Sequence, residues 1–139
     1  MDFWNYKSAK IGEFLPELIL EPVSRTDLAL YSSASGDHNP LHIDTDYAKE
    51  IGLPDVIAHG MLIMGYLGRV LTNNFSQEQI IEYNIQFSSI TNIGDELTCS
   101  AKVVKTITNG TRKNLKLELK VTDQNDDLKL KGYSLIKIL

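Results

Sequence analysis

From Ile81 to its end the chain alternates apolar and polar residues with a period of two. Ile81, Tyr83, Ile85 and Phe87 fall on one side of an extended segment, against Glu82, Asn84, Gln86 and Ser88. Leu97, Cys99, Ala101 and Val103 repeat the pattern. Beyond an Asn109-Gly110 turn, Leu115, Leu117, Leu119 and Val121 alternate with Lys116, Glu118 and Lys120, and "LKLKGYSLIKIL" closes the series. Successive strand side chains point to opposite faces, so this region predicts four long strands in a meander, each with one buried and one solvated face. The first half reads differently. "ELILEPV" suits a strand. "SRTDLALYSSA" opens with Ser24, carries Asp27 three residues on and places Leu28 and Tyr31 at helical spacing, which predicts a helix that stops near Gly36. "DTDYAKEIG" offers Asp44 or Thr45 as an N-cap and Gly52 as a stop for a short second helix. "GMLIMGYLGRVL" is apolar on nearly every side and predicts a helix buried all round. The architecture expected is α+β: an antiparallel sheet wrapped around a buried central helix.

Composition narrows the setting. A chain of 139 residues with 42% hydrophobic content is long enough for one core and too short for two, so residues 1–139 are expected to form a single domain. The lone cysteine, Cys99, excludes an intrachain disulfide framework, and "MDFWNYKSAK" lacks the basic start and apolar run of a secretory leader. The cytoplasm is the expected location. The longest apolar run is about a dozen residues against the roughly 20 a bilayer span needs, so no membrane partner is expected. A net charge of −4 and the absence of any basic run with interleaved aromatics point away from nucleic acid. Residues 1–100 hold five Lys/Arg against fourteen Asp/Glu, whereas residues 101–139 hold nine against four. Solvated strand faces account for this. Lys102, Lys105, Arg112, Lys113 and Lys116 would form a docking face for an acidic partner only if they gathered near the mouth of a site.

The chemistry-bearing residues concentrate in "ASGDHNPLHID", which packs Asp37, His38, Asn39 and His42 around Pro40 in a chain with three histidines. "YSSASGDHNPLHIDTDYA" resembles the hydratase signature of MaoC-like, (R)-specific enoyl-thioester hydratases and (3R)-hydroxyacyl-thioester dehydratases: an aromatic residue, then G-D-x-N-P-[aliphatic]-H. "GLPDVIAHGMLIMG" is similar to the family's next segment, where a glycine opens the central helix, and "EYNIQFSSITNIGDEL" to the strand and turn after it. The likeness covers residues 25–100 closely and the remainder by strand pattern. Among subfamilies it is most similar to β-type subunits of mycobacterial-type (3R)-hydroxyacyl-acyl-carrier-protein dehydratases. The resemblance implies a hotdog fold, whose outline matches the predicted elements. It further implies reversible hydration of trans-2-enoyl thioesters of CoA or acyl carrier protein, no cofactor, and a dimer made with an identical or a related hotdog subunit.

Such a reaction moves a proton at C2 while water enters or leaves C3, so two proton-handling side chains must face one small volume. The resemblance assigns them to Asp37 and His42. Imidazole exchanges protons near neutrality, and a carboxylate can hold and polarise water; which of the two transfers the C2 proton stays open in the sequence. Pro40 disfavours helix at Asn39, giving a loop that can aim both groups inward, with Asn39 as a brace. By resemblance the Gly60 amide, at a helix N-terminus, stabilises the enolate-like oxygen. His38 occupies the signature's variable position, and His59 is read as shaping the turn before Gly60. A metal site from His38, His42, Asp44 and Asp46 is not expected: counted from Asp37, a calcium loop would need Gly at the sixth position and Glu at the twelfth, which are His42 and Ala48. No G-x-S-x-G elbow surrounds the serines. Arg69 sits late in the central helix, where a cation suits the helix dipole. Two other readings remain, a hotdog acyl thioesterase and a non-catalytic partner subunit of a dehydratase heterodimer. The "GDHNPLH" order favours the hydratase over the first, and possession of both Asp37 and His42 speaks against the second.

Overall fold

A computed structural model of the chain describes residues 4–139. The strands are β1 (Leu18–Ile19), β2 (Ile80–Phe87), β3 (Thr98–Asn109), β4 (Arg112–Thr122) and β5 (Leu128–Ile138), and the helices α1 (Arg25–Ser35), α2 (Thr45–Glu50) and α3 (Gly60–Thr72). One antiparallel sheet runs in the order β1-β3-β4-β5-β2. Its inner face is the alternation read from the sequence: Leu97, Cys99, Ala101, Val103, Leu115, Leu117, Leu119 and Val121 are all buried. α3 packs on that face with Ile63, Leu67, Val70 and Leu71 buried.

The structure departs from the expected outline in five places. Only β3, β4 and β5 form a meander; β2 pairs with β5, and its other side is a free edge among the described residues. Secondly, Ile80 pairs with Ile136 but Glu82 with Leu135, so Ile81 is the extra residue of a bulge, and it turns outward to 54% exposure instead of joining Tyr83 and Ile85 against the core. Thirdly, "ELILEPV" yields only the two residues of β1, since Pro22 has no N–H to give; Leu20 and Val23 still donate to Leu97 and Asp95 carbonyls as isolated bonds. Fourthly, α3 is not covered all round in the single chain. Met61, Gly65 and Arg69, spaced four apart, form an exposed stripe. Finally, the β3–β4 loop is Gly110-Thr111, one residue later than expected, with Asn109 paired to Arg112.

Gly132 faces Ile85 where β5 meets β2, and a Cβ there would lie 1.9 Å from the Asn84 carbonyl oxygen. The two strands can approach this closely only at glycine. The helix ends follow the sequence signals. Ser24 Oγ accepts from the Asp27 amide, Gly36 closes α1, and Asp44 rather than Thr45 caps α2 by accepting from the Asp46 and Tyr47 amides. Between α1 and α2, Pro40–His42 form a single 3-10 turn. No helix among the described residues is long and apolar enough to cross a membrane.

Candidate active site

The loop after α1 folds back on itself through its own side chains. Ser35 Oγ accepts from the Asp37 amide, Asp37 Oδ1 from the Asn39 amide, and Asn39 Oδ1 from the Leu41 amide, so Asn39 caps the 3-10 turn that carries His42. That turn aims His42 at the segment before α3. Its Nδ1 lies 2.7 Å from the Ile57 carbonyl oxygen. A carbonyl can only accept, so Nδ1 carries the proton and, in the neutral ring, Nε2 is left with a bare lone pair. Nε2 in turn faces the Asp37 carboxylate at 3.9 Å, with His42 mostly buried and Asp37 half exposed.

His42 and Gly60 share the wall of a cavity of about 310 Å³, whose other lining residues include Ile63, Phe87, Ile90 and Leu130. Asp37 is not part of that wall and reaches it through His42. At the start of α3, the Leu62 and Ile63 amides both turn back to the His59 carbonyl. The Gly60 and Met61 amides donate to no group among the described residues. They are the free N–H groups of a 13-residue helix, and its dipole favours negative charge at that point. A Cβ on Gly60 would stand 2.9 Å from Phe87 Cε1, so the glycine keeps the approach to these amides open.

His59, read from the sequence as a turn residue, occupies the centre of this arrangement. Its ring stacks on His42 with centroids 3.8 Å apart and planes 24° from parallel. Burial chiefly, and the neighbouring His42 ring next, push its pKa down from the ordinary imidazole value, against a smaller opposing pull from Asp37. Asp37, His42 and His59 bring one potential metal-ligating atom each within 4.8 Å of one another. A shared ion would have to lie in the plane of both rings at about 2.0–2.1 Å from a nitrogen. Rings stacked face to face do not offer that point, so this trio does not fit a metal. His38, Asp44 and Asp46 stand apart from it, and the Asp44 carboxylate is taken up in capping α2.

The far wall of the cavity is held by a buried ammonium group that the alternation pattern hides. Lys129 is 3% exposed; its Nζ donates to the Ile90 carbonyl at 2.8 Å and lies 2.9, 3.3 and 3.7 Å from carboxylate oxygens of Asp127, Asp123 and Asp95. Burial lowers the Lys129 pKa, but hydrogen bonds to Asp127 and Asp123 and the surrounding carboxylate charge outweigh it and raise the value overall. The pinned loop reaches across the cavity: Thr91 O accepts from the Ala58 amide, and Asn92 bridges to Ile57, the residue whose carbonyl holds His42. The basic residues of the last third gather elsewhere. Lys102, Lys105, Arg112 and Lys116 lie on the outward side of β3 and β4, and Lys113 near the β3–β4 loop, and none of them lines the cavity.

Fold and site together define a hotdog protein with a carboxylate–imidazole pair set beside the free N-terminus of its central helix. The chain belongs to the MaoC-like family: the family described as "MaoC like domain" matches residues 10–125. It is 32% identical over 88 residues to the mitochondrial 3-hydroxyacyl-[acyl-carrier-protein] dehydratase of Arabidopsis thaliana, a match covering 63% of this chain and 52% of that protein. It is also 32% identical over 87 residues to the (R)-specific enoyl-CoA hydratase of Rhodospirillum rubrum, covering 61% of this chain and 60% of the relative. The chain therefore spans about half to three-fifths of the length of these relatives. Among solved structures, the R-hydratase PhaJ1 from Pseudomonas aeruginosa superposes with a TM-score of 0.81 over 95% of this chain and 83% of that one, at 23% identity. That likeness shows the fold.

Proposed function

We propose that the protein is a hydro-lyase that interconverts trans-2-enoyl thioesters and (3R)-3-hydroxyacyl thioesters, carried on CoA or on acyl carrier protein, in fatty-acid or related acyl metabolism. The observation that carries the reading is the bare Nε2 of His42 facing the Asp37 carboxylate on the same cavity as the free Gly60 amide. In the hydration direction a water held between His42 and Asp37 gives its hydroxyl to C3, and its proton passes through the pair to C2, leaving the pair's proton count unchanged. The charge that gathers on the thioester oxygen in between is met by the Gly60 N–H at the positive end of α3. Every atom transferred comes from water and substrate, so the reaction as read draws on no cofactor.

The reading takes residues 1–139 as one MaoC-like catalytic unit, paired with a second hotdog subunit that is identical or related. The free β2 edge and the exposed stripe of α3 support the pairing, since both are surfaces that a lone protomer leaves uncovered. The buried Cys99 thiol, with its pKa pushed up to about 12 chiefly by burial, needs no oxidising surroundings, and a cytoplasmic setting suits it.

Hydration of crotonyl-CoA by the purified protein tests the proposal. Loss of the enoyl absorbance without release of free thiol is expected, with the (3R) alcohol as product. Asp37→Asn and His42→Ala should each lower turnover by roughly 10²- to 10⁴-fold, as loss of a positioned acid or base does. The double variant should be little worse than the poorer single one, because both groups act on one water. Thiol release would show a thioesterase, a (3S) product would reject the assignment, and an active species sedimenting as a monomer would overturn the pairing.

A further inference from the structure

His59 is 2% exposed and makes three contacts that join otherwise separate parts of the site. Its Nε2 lies 2.9 Å from Ser32 Oγ on α1 and 3.4 Å from the Asp37 carbonyl oxygen. Its face lies against the His42 ring at 3.8 Å, and its own backbone is the N-cap of α3, one residue before Gly60. Its Nδ1 is buried without a partner among the described residues. These facts fix where the ring proton sits. The Asp37 carbonyl can only accept, so a proton on Nε2 bonds it and Ser32 Oγ, leaving Nδ1 as an unpaired acceptor. The other tautomer would strand a buried N–H donor and leave the Asp37 carbonyl unserved, which is the more costly arrangement.

We propose that His59 is a positioning residue for the Asp37–His42 pair: as the Nε2–H tautomer it ties the Asp37 backbone to α1 and α3 while its ring backs the His42 ring, so that the carboxylate, the bare Nε2 of His42 and the Gly60 amide keep one spacing. The two stacked imidazoles thus hold opposite tautomers, Nδ1–H in His42 and Nε2–H in His59. The titratable groups that face His59 are Asp37 from the loop, His42 from the 3-10 turn and Tyr31 from α1, whose ring centroid is 4.7 Å away. Burial favours the neutral form of His59, so one ring of the stack exchanges protons while the other stays fixed. A cation on both rings at 3.8 Å would force them apart.

This inference rests on the hydratase reading for its catalytic meaning, and its first test is independent of activity. With three histidines in the chain, long-range proton–nitrogen spectra of ¹⁵N-labelled full-length protein show three imidazole systems, assigned with His38→Ala and His59→Phe. His59 is expected as Nε2–H and His42 as Nδ1–H, with His59 remaining neutral to below the ordinary imidazole value. His59 found as Nδ1–H, or taking up a proton at or above the ordinary imidazole value, would overturn the proposal. The second test is kinetic. His59→Phe keeps a stacking ring and loses the donor, and His59→Gln keeps a donor and loses the ring. Each should lower kcat by about 10- to 100-fold, the scale of a misplacement of up to about 1 Å, with KM within about threefold. Folded variants with unchanged kcat would show that His59 only supports the fold. Absence of hydration by the unaltered protein would instead sink the hydratase reading while the tautomer result stood by itself.

Discussion

Replacing Gly60 by alanine separates what α3 does for stability from what it does for the reaction. The added methyl carbon would stand 2.9 Å from Phe87 Cε1 and 3.1 Å from Cδ1, where an ordinary carbon contact is about 3.5–4.0 Å. The Phe87 ring must therefore retreat by roughly 0.5–1 Å. It can do so cheaply, being 51% exposed at the end of the edge strand. Alanine is also the better helix former by up to about 1 kcal/mol, so the two effects nearly cancel and the melting temperature should move by no more than a few degrees. The same methyl group, however, protrudes toward the cavity beside the free amide. A thioester carbonyl held off by about 1 Å loses on the order of 10²-fold, the same scale as losing one oxyanion donor. Steady-state hydration of crotonyl-CoA, with thermal melts on the same samples, reads both quantities. Phe87→Ala supplies the control: in that background the clash is gone, and Gly60→Ala should still lower kcat/KM by about 10² relative to Phe87→Ala alone. A Gly60→Ala enzyme within threefold of the unaltered protein, or a penalty that vanishes without the Phe87 ring, would refute the assignment of the Gly60 amide.

Two further perturbations test the frame around the site. Gly132→Ala should push β2 off β5, because a contact of 1.9 Å with the Asn84 oxygen can be relieved only by a strand shift of about 1 Å, which takes neighbouring ladder bonds outside the ~2.7–3.2 Å range; about 3–5 kcal/mol and a melting temperature lower by roughly 10 °C are expected, and an unchanged melt would contradict the strand geometry. Lys129→Met should cost about 3–5 kcal/mol at neutral pH, since it leaves Asp95, Asp123 and Asp127 facing one another. The unaltered protein holds Asp123 and Asp127 below the ordinary carboxylate range, so their stabilisation is present above that range and is lost as pH falls through the lowered values. The variant's carboxylates, without the ammonium group, gain stability on protonation. The gap in melting temperature should accordingly be wide at neutral pH and narrow in acid, and a gap independent of pH would show that Lys129 acts through packing alone.

The sequence made the inner face of β3 and β4 legible because burial on one side of a strand imposes a strict period of two, and all eight residues named there are buried. The same rule misplaced Ile81, since a bulge adds a residue that no local pattern announces. It likewise passed over Lys129, which alternation puts on the solvated face but a loop covers. Strand order was not legible either: Ile80 pairs with Ile136 through contacts remote in sequence. At the site, Asp37, Asn39 and His42 stand together in a short signature, and Gly60 in the segment that follows it. The Ile57 carbonyl that sets the His42 tautomer is a backbone group and leaves no trace in residue identity. His59 had a visible signal in its place directly before the glycine that opens α3, but its role depends on a stack with His42 that only the folded chain reveals.

The pairing of β2 with β5 has a consequence for how the protein comes into being. β3, β4 and β5 can zip together through neighbouring hairpins as they emerge, whereas β2, made earlier, has no strand to join until β5 is available. Phe87 and the loop beyond it therefore take their places only once β5 has been made. The wall that completes the cavity is assembled on a finished scaffold, and a ribosome-bound chain still lacking β5 would carry the "GDHNPLH" loop without the pocket it serves.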